Sequence, residues 1–141
     1  MDRFVALLDR HPLIFSHVLL ALGALALGIF ILLLRKGDTR HRTLGWVWVV
    51  LMGGAALTSA FIRDFHLPNI AGFTPIHAFT ALVAVELPRA VWHVRHGRVQ
   101  AHRQAMRGLY IGGCVVAGTL AFLPGRFLGS MLWPRVSALL G

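Results

Sequence analysis

Four long apolar runs alternate with short polar stretches along the chain. Pro12 to Leu34 is a run of 23 residues in which His17 is the only strongly polar member. A hydrocarbon core about 30 Å thick needs about 20 helical residues, so this run is long enough to span it. A secretory h-region has only about 7–15 residues; this run continues well past that and recurs later, so it is expected as a mature helix. The second run extends from about Leu44 to Ile62, with Trp46 and Trp48 at its start as expected interfacial anchors. The third begins near Thr74-Pro75, an N-cap residue followed by proline at the first helical position, and ends near Gly97. The fourth extends from about Met106 to Leu123 and stops at Pro124-Gly125. Gly37 is expected to cap the first helix. A polar start (1–11) precedes the runs, and a tail with Phe127, Leu128, Met131, Leu132 and Trp133 follows, expected to lie in the membrane interface.

The first and third runs repeat one another. His17, Ala21 and Ala24 recur sixty residues later as His77, Ala81 and Ala84, and Arg35-Lys36-Gly37 falls on Arg95-His96-Gly97. A second histidine follows in each half, His41-Arg42 and His102-Arg103, sixty-one residues apart. The pattern predicts an all-α membrane protein with four transmembrane helices, built as a tandem parallel repeat of a two-helix hairpin. Residues 1–141 form one domain, with repeat 1 at about 12–63, repeat 2 at about 72–124 and the interfacial tail at 125–141. Halves of equal orientation place a pseudo-two-fold axis along the membrane normal.

Composition agrees. Only 13% of residues are charged, against about 25% in soluble domains. The net charge of +9 is spread between apolar runs rather than along one face, which argues against a nucleic-acid partner and for a lipid bilayer. Four basic residues lie in 35–43 and four in 95–107, whereas the 2–3 loop holds only Arg63. The positive-inside rule therefore puts both basic loops in the cytoplasm and both termini outside. The single cysteine, Cys114, excludes an internal disulfide framework. There is no nucleophilic triad, phosphate-binding glycine loop or nucleic-acid signature.

The candidate chemistry lies in the histidines. His17, Ala21, Ala24 and Gly28 share one helical face, and His77, Ala81, Ala84 and Pro88 are the same face of the second copy. Small residues on one stripe let membrane helices approach closely, so both histidines are expected toward the bundle interior, near the outer boundary of the hydrocarbon. His41 and His102 open the second and fourth helices on the cytoplasmic side. Two histidines at equal depth across a two-fold axis suit bis-imidazole ligation of a haem iron. The expected cofactor is one haem b at His17/His77, with His41/His102 as the candidate pair for a second; Arg63 and Arg126 outside, and Arg42 and Arg103 inside, are available to the propionates. The alternative is that each imidazole only hydrogen-bonds a carbonyl of a neighbouring helix. Gly108 and Gly112 form a GxxxG packing pattern.

Glu86 is the one carboxylate within an apolar run, and intramembrane carboxylates are functional candidates. It lies about 180° around the helix from His77, with Arg89 at i+3 and His93 at i+7 as potential partners. It is read either as a snorkelling ion pair or as a proton-relay or quinone-site carboxylate. His93, His96 and His102 have loose metal-ligand spacing, but no carboxylate or cysteine beside them to make a dedicated zinc or copper site.

Taken together, His11-Pro12-Leu13, His17, Arg35-Lys36-Gly37 followed by His41-Arg42 and Gly45, Pro75-Ile76-His77, His102-Arg103, Met106-Arg107-Gly108 and Pro124-Gly125-Arg126 resemble the bacterial predicted membrane proteins of the DUF2306 family over nearly the whole chain. That resemblance implies a four-helix, multi-pass protein of the bacterial inner membrane and brings no established activity. The pairing of helices one with three and two with four is similar, in architecture only, to the two-haem cytochrome b561 core. The expected function is a small b-type cytochrome-like electron-transfer protein working with a quinol or a redox partner protein. The alternatives are a non-enzymatic membrane subunit or assembly factor with structural histidines, and a quinone- or lipid-binding protein. Four short helices bury little interior, so a homodimer or a place in a larger complex is expected.

Overall fold

The structure, a computed structural model, describes residues 12–62 and 76–123 together with Gly129 and Trp133. The expected cap at Thr74-Pro75, the arginines Arg63 and Arg126, the stop at Pro124-Gly125, residues 1–11 and the rest of the tail lie outside the described residues. The described part is helical. α1 is Pro12–Leu33, α2 Thr39–Phe61, α3 His77–Arg95 and α4 Val99–Leu109; a π-helical stretch, Tyr110–Val116, and a last short helix, α5 (Ala117–Ala121), continue directly from α4.

Both basic connections are tighter than the apolar runs suggest. α2 begins five residues before Leu44, because Asp38 in extended conformation caps it by accepting from the His41 N–H at 2.7 Å. α4 begins seven residues before Met106. His41 and His102 therefore sit in the first turns of helices, not in charged loops. Gly97 ends α3 as expected. Its φ of 72° is left-handed, Gly97 N–H donates to Val94 at 3.2 Å, and Arg98 N–H reaches back to His93 at 2.9 Å, closing a Schellman motif. Gly37 departs from expectation: α1 stops at Leu33, and this glycine, with φ 92°, makes the turn instead of the cap.

α1 packs on α2 and on the π stretch, α2 also on α3, and α3 on α4 and the π stretch, which closes the ring of helices. α1 and α3 make no comparable contact. The core contains Ala24, Ile31, Trp48, Met52, Val83, Leu87, Leu109, Tyr110 and Cys114. Trp48 is only 2% exposed and donates its indole N–H to the Ala24 carbonyl at 2.8 Å; it is a core residue rather than an interfacial anchor. Trp46 is exposed and carries Arg95 over its ring at 5.7 Å, an arrangement suited to an anchor.

The inward face of α1 follows the predicted stripe, with Ala24 and Gly28 buried. A Cβ on Gly28 would come within 2.5 Å of the Tyr110 ring. The inward face of α3 does not follow. Val83, Leu87 and Ala90 are buried, while Ala81, Ala84 and Pro88 are exposed. In repeat register the buried set of α3 is displaced by one residue from that of α1, a rotation of about 100°. The GxxxG pattern also fails as a contact. A Cβ on Gly108 meets nothing within 4 Å, whereas one on Gly113 would lie 2.9 Å from Met52 Cε. The π stretch begins between the two glycines and changes the register of the helix there, so a Cβ on Gly112 would meet Leu82 at 3.2 Å while Gly108 faces open space. Leu109, Tyr110 and Cys114 are the residues of this stretch that point inward.

The outside of the bundle is as apolar as its inside. Leu33 is 80% exposed and Val50 69%, with Leu19, Ile29, Phe30, Leu57 and Phe61 also at the surface. α1 and α2 have the length and composition of membrane spans, yet only a small part of either is buried. A soluble core helix would be mostly covered, so these faces suit hydrocarbon. α3 carries Glu86, Arg89 and Arg95, and the fourth helix is divided by its π stretch, so neither meets the same criterion.

Candidate functional site

The outer histidines both reach α2. His17 Nδ1 lies 3.0 Å from the Ala55 carbonyl and 3.2 Å from Thr58 Oγ1. His77 Nε2 lies 3.0 Å from the Ile62 carbonyl at the C-terminal cap of the same helix. Ser59 Oγ and Thr80 Oγ1, at 2.8 Å, add a second tie between α2 and α3. The C-terminal part of α2 is thus the polar seam to which α1 and α3 are each fastened.

The inner histidines stand in the first turns of α2 and α4 at the opposite end. His102 Nδ1 lies 2.8 Å from the Ala90 carbonyl, a bond from the first turn of α4 to α3. His41 Nδ1 is buried with no hydrogen-bond partner. The two imidazoles lie within range of each other's charge, and Lys36 and Asp38 also bear on His41. Lys36 Nζ caps the end of α1 by donating to the Leu32 carbonyl. Arg42 and Arg103, each next to an inner histidine, are exposed.

Bis-imidazole ligation needs one uncommitted nitrogen from each ring. His102 meets this: with Nδ1–H held by a carbonyl, Nε2 is left for a ligand, the usual outer-shell arrangement of a metal-binding histidine. His41 contributes a ring whose buried Nδ1 has no partner among the described residues. The outer pair fits iron poorly. His17 keeps Nε2, but His77 commits Nε2 to the α2 backbone, and the two helices that carry them do not pack on each other. The physical reason is the rotation of α3, which turns its small-residue stripe outward. The bundle centre between the two ends is filled by Trp48, Leu109 and Tyr110.

Glu86 and Arg89 form the expected ion pair, at 2.5 Å. Glu86 also lines a groove of about 420 Å³ between α3 and α4, shared with His93 and Gln104. His93 Nδ1 is, with His41 Nδ1, one of two buried side-chain polar atoms without a partner among the described residues. Sequence reasoning placed His93 beside Glu86 by its i+7 spacing but had no signal for Gln104, which the packing of α4 on α3 brings to the same groove.

Helices with apolar outer faces, polar ties between their backbones and basic turns at one end define an α-helical membrane protein. The chain belongs to the family described as predicted membrane protein (DUF2306), whose profile matches residues 14–133. No curated protein and no solved structure matches it, and the likeness to the cytochrome b561 core is unsupported.

Proposed function

We propose that this protein is a small electron-transfer protein of the bacterial inner membrane that holds one b-type haem between His41 and His102. The observation that carries the reading is the buried, unpartnered Nδ1 of His41 beside a His102 whose tautomer is set by the Ala90 carbonyl. An orphaned buried polar atom costs about 1–3 kcal/mol, a cost that a ligand bound at Nδ1 itself would remove. In this reading four helices cross the bilayer, with 35–43 and 95–107 in the cytoplasm.

When bound, haem supplies a reversible one-electron couple. The chain's own residues do the rest. Asp38 fixes the first turn of α2 and thereby the position of His41. The Ala90 carbonyl orients His102. Arg42 and Arg103, both exposed, would supply cations for the haem propionates, in the manner of charge-assisted pairs. The stack of Arg98 over Trp92, at 4.9 Å, strengthens the same basic rim.

A second reading draws on His17 and His77, which serve as ties to carbonyls. It makes the protein a non-enzymatic subunit or assembly factor, with lipid and partner chains as its only ligands. The experiment that separates the two is an absorption spectrum of the detergent-purified chain, expressed with haem supplied, oxidised and then reduced with dithionite. Sharp α and β bands in the reduced form support the cytochrome reading. A featureless spectrum overturns it in favour of the structural one.

A further inference from the structure

We infer that the groove between α3 and α4 binds the headgroup of an isoprenoid quinol, held between Glu86 and His93. The site is separate from the His41/His102 pair and stands whether or not haem binds there.

Three features meet in the groove. Its volume, about 420 Å³, lies in the range of small-molecule sites, roughly 300–1,000 Å³. It is open to the outside of the bundle at the proposed cytoplasmic end of α3 and α4, where a headgroup can enter while its isoprenoid tail stays among the lipids. Its walls are apolar (Leu82 and Ala105 among them), and its polar groups are a carboxyl, an imidazole and the Gln104 amide. The Arg89 guanidinium occupies one oxygen of Glu86 and leaves the other uncommitted among the described residues. His93 Nδ1 is buried without a partner.

Glu86 and His93 are seven residues apart, about two helical turns, so both present their polar groups to the same groove. Charge selects the ligand. A phosphate headgroup is repelled by the Glu86 carboxylate, whereas a neutral quinol hydroxyl donates to its free oxygen and a second quinol oxygen bonds the His93 imidazole.

The test is saturable binding of ubiquinol-1, kept reduced, to the full chain in nanodiscs, read as quenching of tryptophan fluorescence. Trp92 is a built-in reporter, with its ring 5.3 Å from that of His93. Gly108→Leu fills the groove from α4, where the added Cβ meets nothing within 4 Å and the helix gains propensity, so the fold is retained. Gly108→Leu and His93→Phe are each expected to weaken binding at least tenfold, and Glu86→Gln to weaken it severalfold. Quenching that rises linearly without saturation, or that is unchanged in Gly108→Leu and His93→Phe, overturns the inference.

Discussion

Trp48 donates its indole N–H to the Ala24 carbonyl at 2.8 Å, joining two of the most deeply packed positions of α2 and α1. A large ring on one helix lies against a residue with almost no side chain on the other. This size complementarity is what drives association of helices in a solvent as apolar as themselves. Trp48→Phe keeps most of the ring and loses the bond, so it is expected to cost about 0.5–1.5 kcal/mol. Trp48→Ala also leaves a cavity and is expected to cost about 3–5 kcal/mol. Thermal unfolding of both variants in one detergent checks the order.

Gly28 and Tyr110 form the second contact of the same kind. A side chain at Gly28 would meet the ring of Tyr110 and the indole nitrogen of Trp48. Gly28→Val is expected to destabilise by about 1–3 kcal/mol through overpacking. Removing the ring from the other side should relieve the clash, so Gly28→Val with Tyr110→Ala should be more stable than the sum of the two single losses predicts. A double-mutant cycle on unfolding midpoints measures that difference.

The two histidine pairs should separate in one set of spectra. If the inner pair holds haem, His41→Ala and His102→Ala each abolish the reduced α band. His17→Ala then leaves it in place. Loss of the band in His17→Ala with retention in His41→Ala would move the ligands to the other end of the bundle.

The outer histidines should instead register in stability. His17→Phe removes a bond to Ala55 and His77→Phe one to Ile62. Each is expected to lower stability by about 0.6–1.7 kcal/mol, the range of interhelical hydrogen bonds in membranes. Resistance to unfolding by SDS in mixed micelles is the measurement.

Much of the architecture was legible in the chain because it depends on local or compositional features. α1 falls within one residue of its apolar run. The stop at Gly97 was readable because only a residue without Cβ adopts its left-handed φ freely. The early starts of α2 and α4 were missed for a related reason: the polar first turns carry the basic residues of the membrane boundary, and hydropathy reads them as loop. Asp38 three residues before His41 was the capping signal available for α2.

The sequence alone determined that this is a helical membrane protein with basic turns at one end, since run length, charge content and turn glycines need no knowledge of neighbours. Tertiary structure alone decided which faces meet. It put Trp48 in the core and left Trp46 outside, rotated α3 by about 100° from its counterpart, and began the π stretch between the two glycines of the GxxxG pattern. It also decided the partners of the histidine nitrogens, leaving His41 and His93 unsatisfied while fastening His17 and His77 to α2. The physical reason is common to all of these. In lipid the outer face of a helix is as apolar as the inner one, so hydrophobic periodicity does not mark the buried side, and the choice falls to close packing and to the few polar atoms that must find a partner.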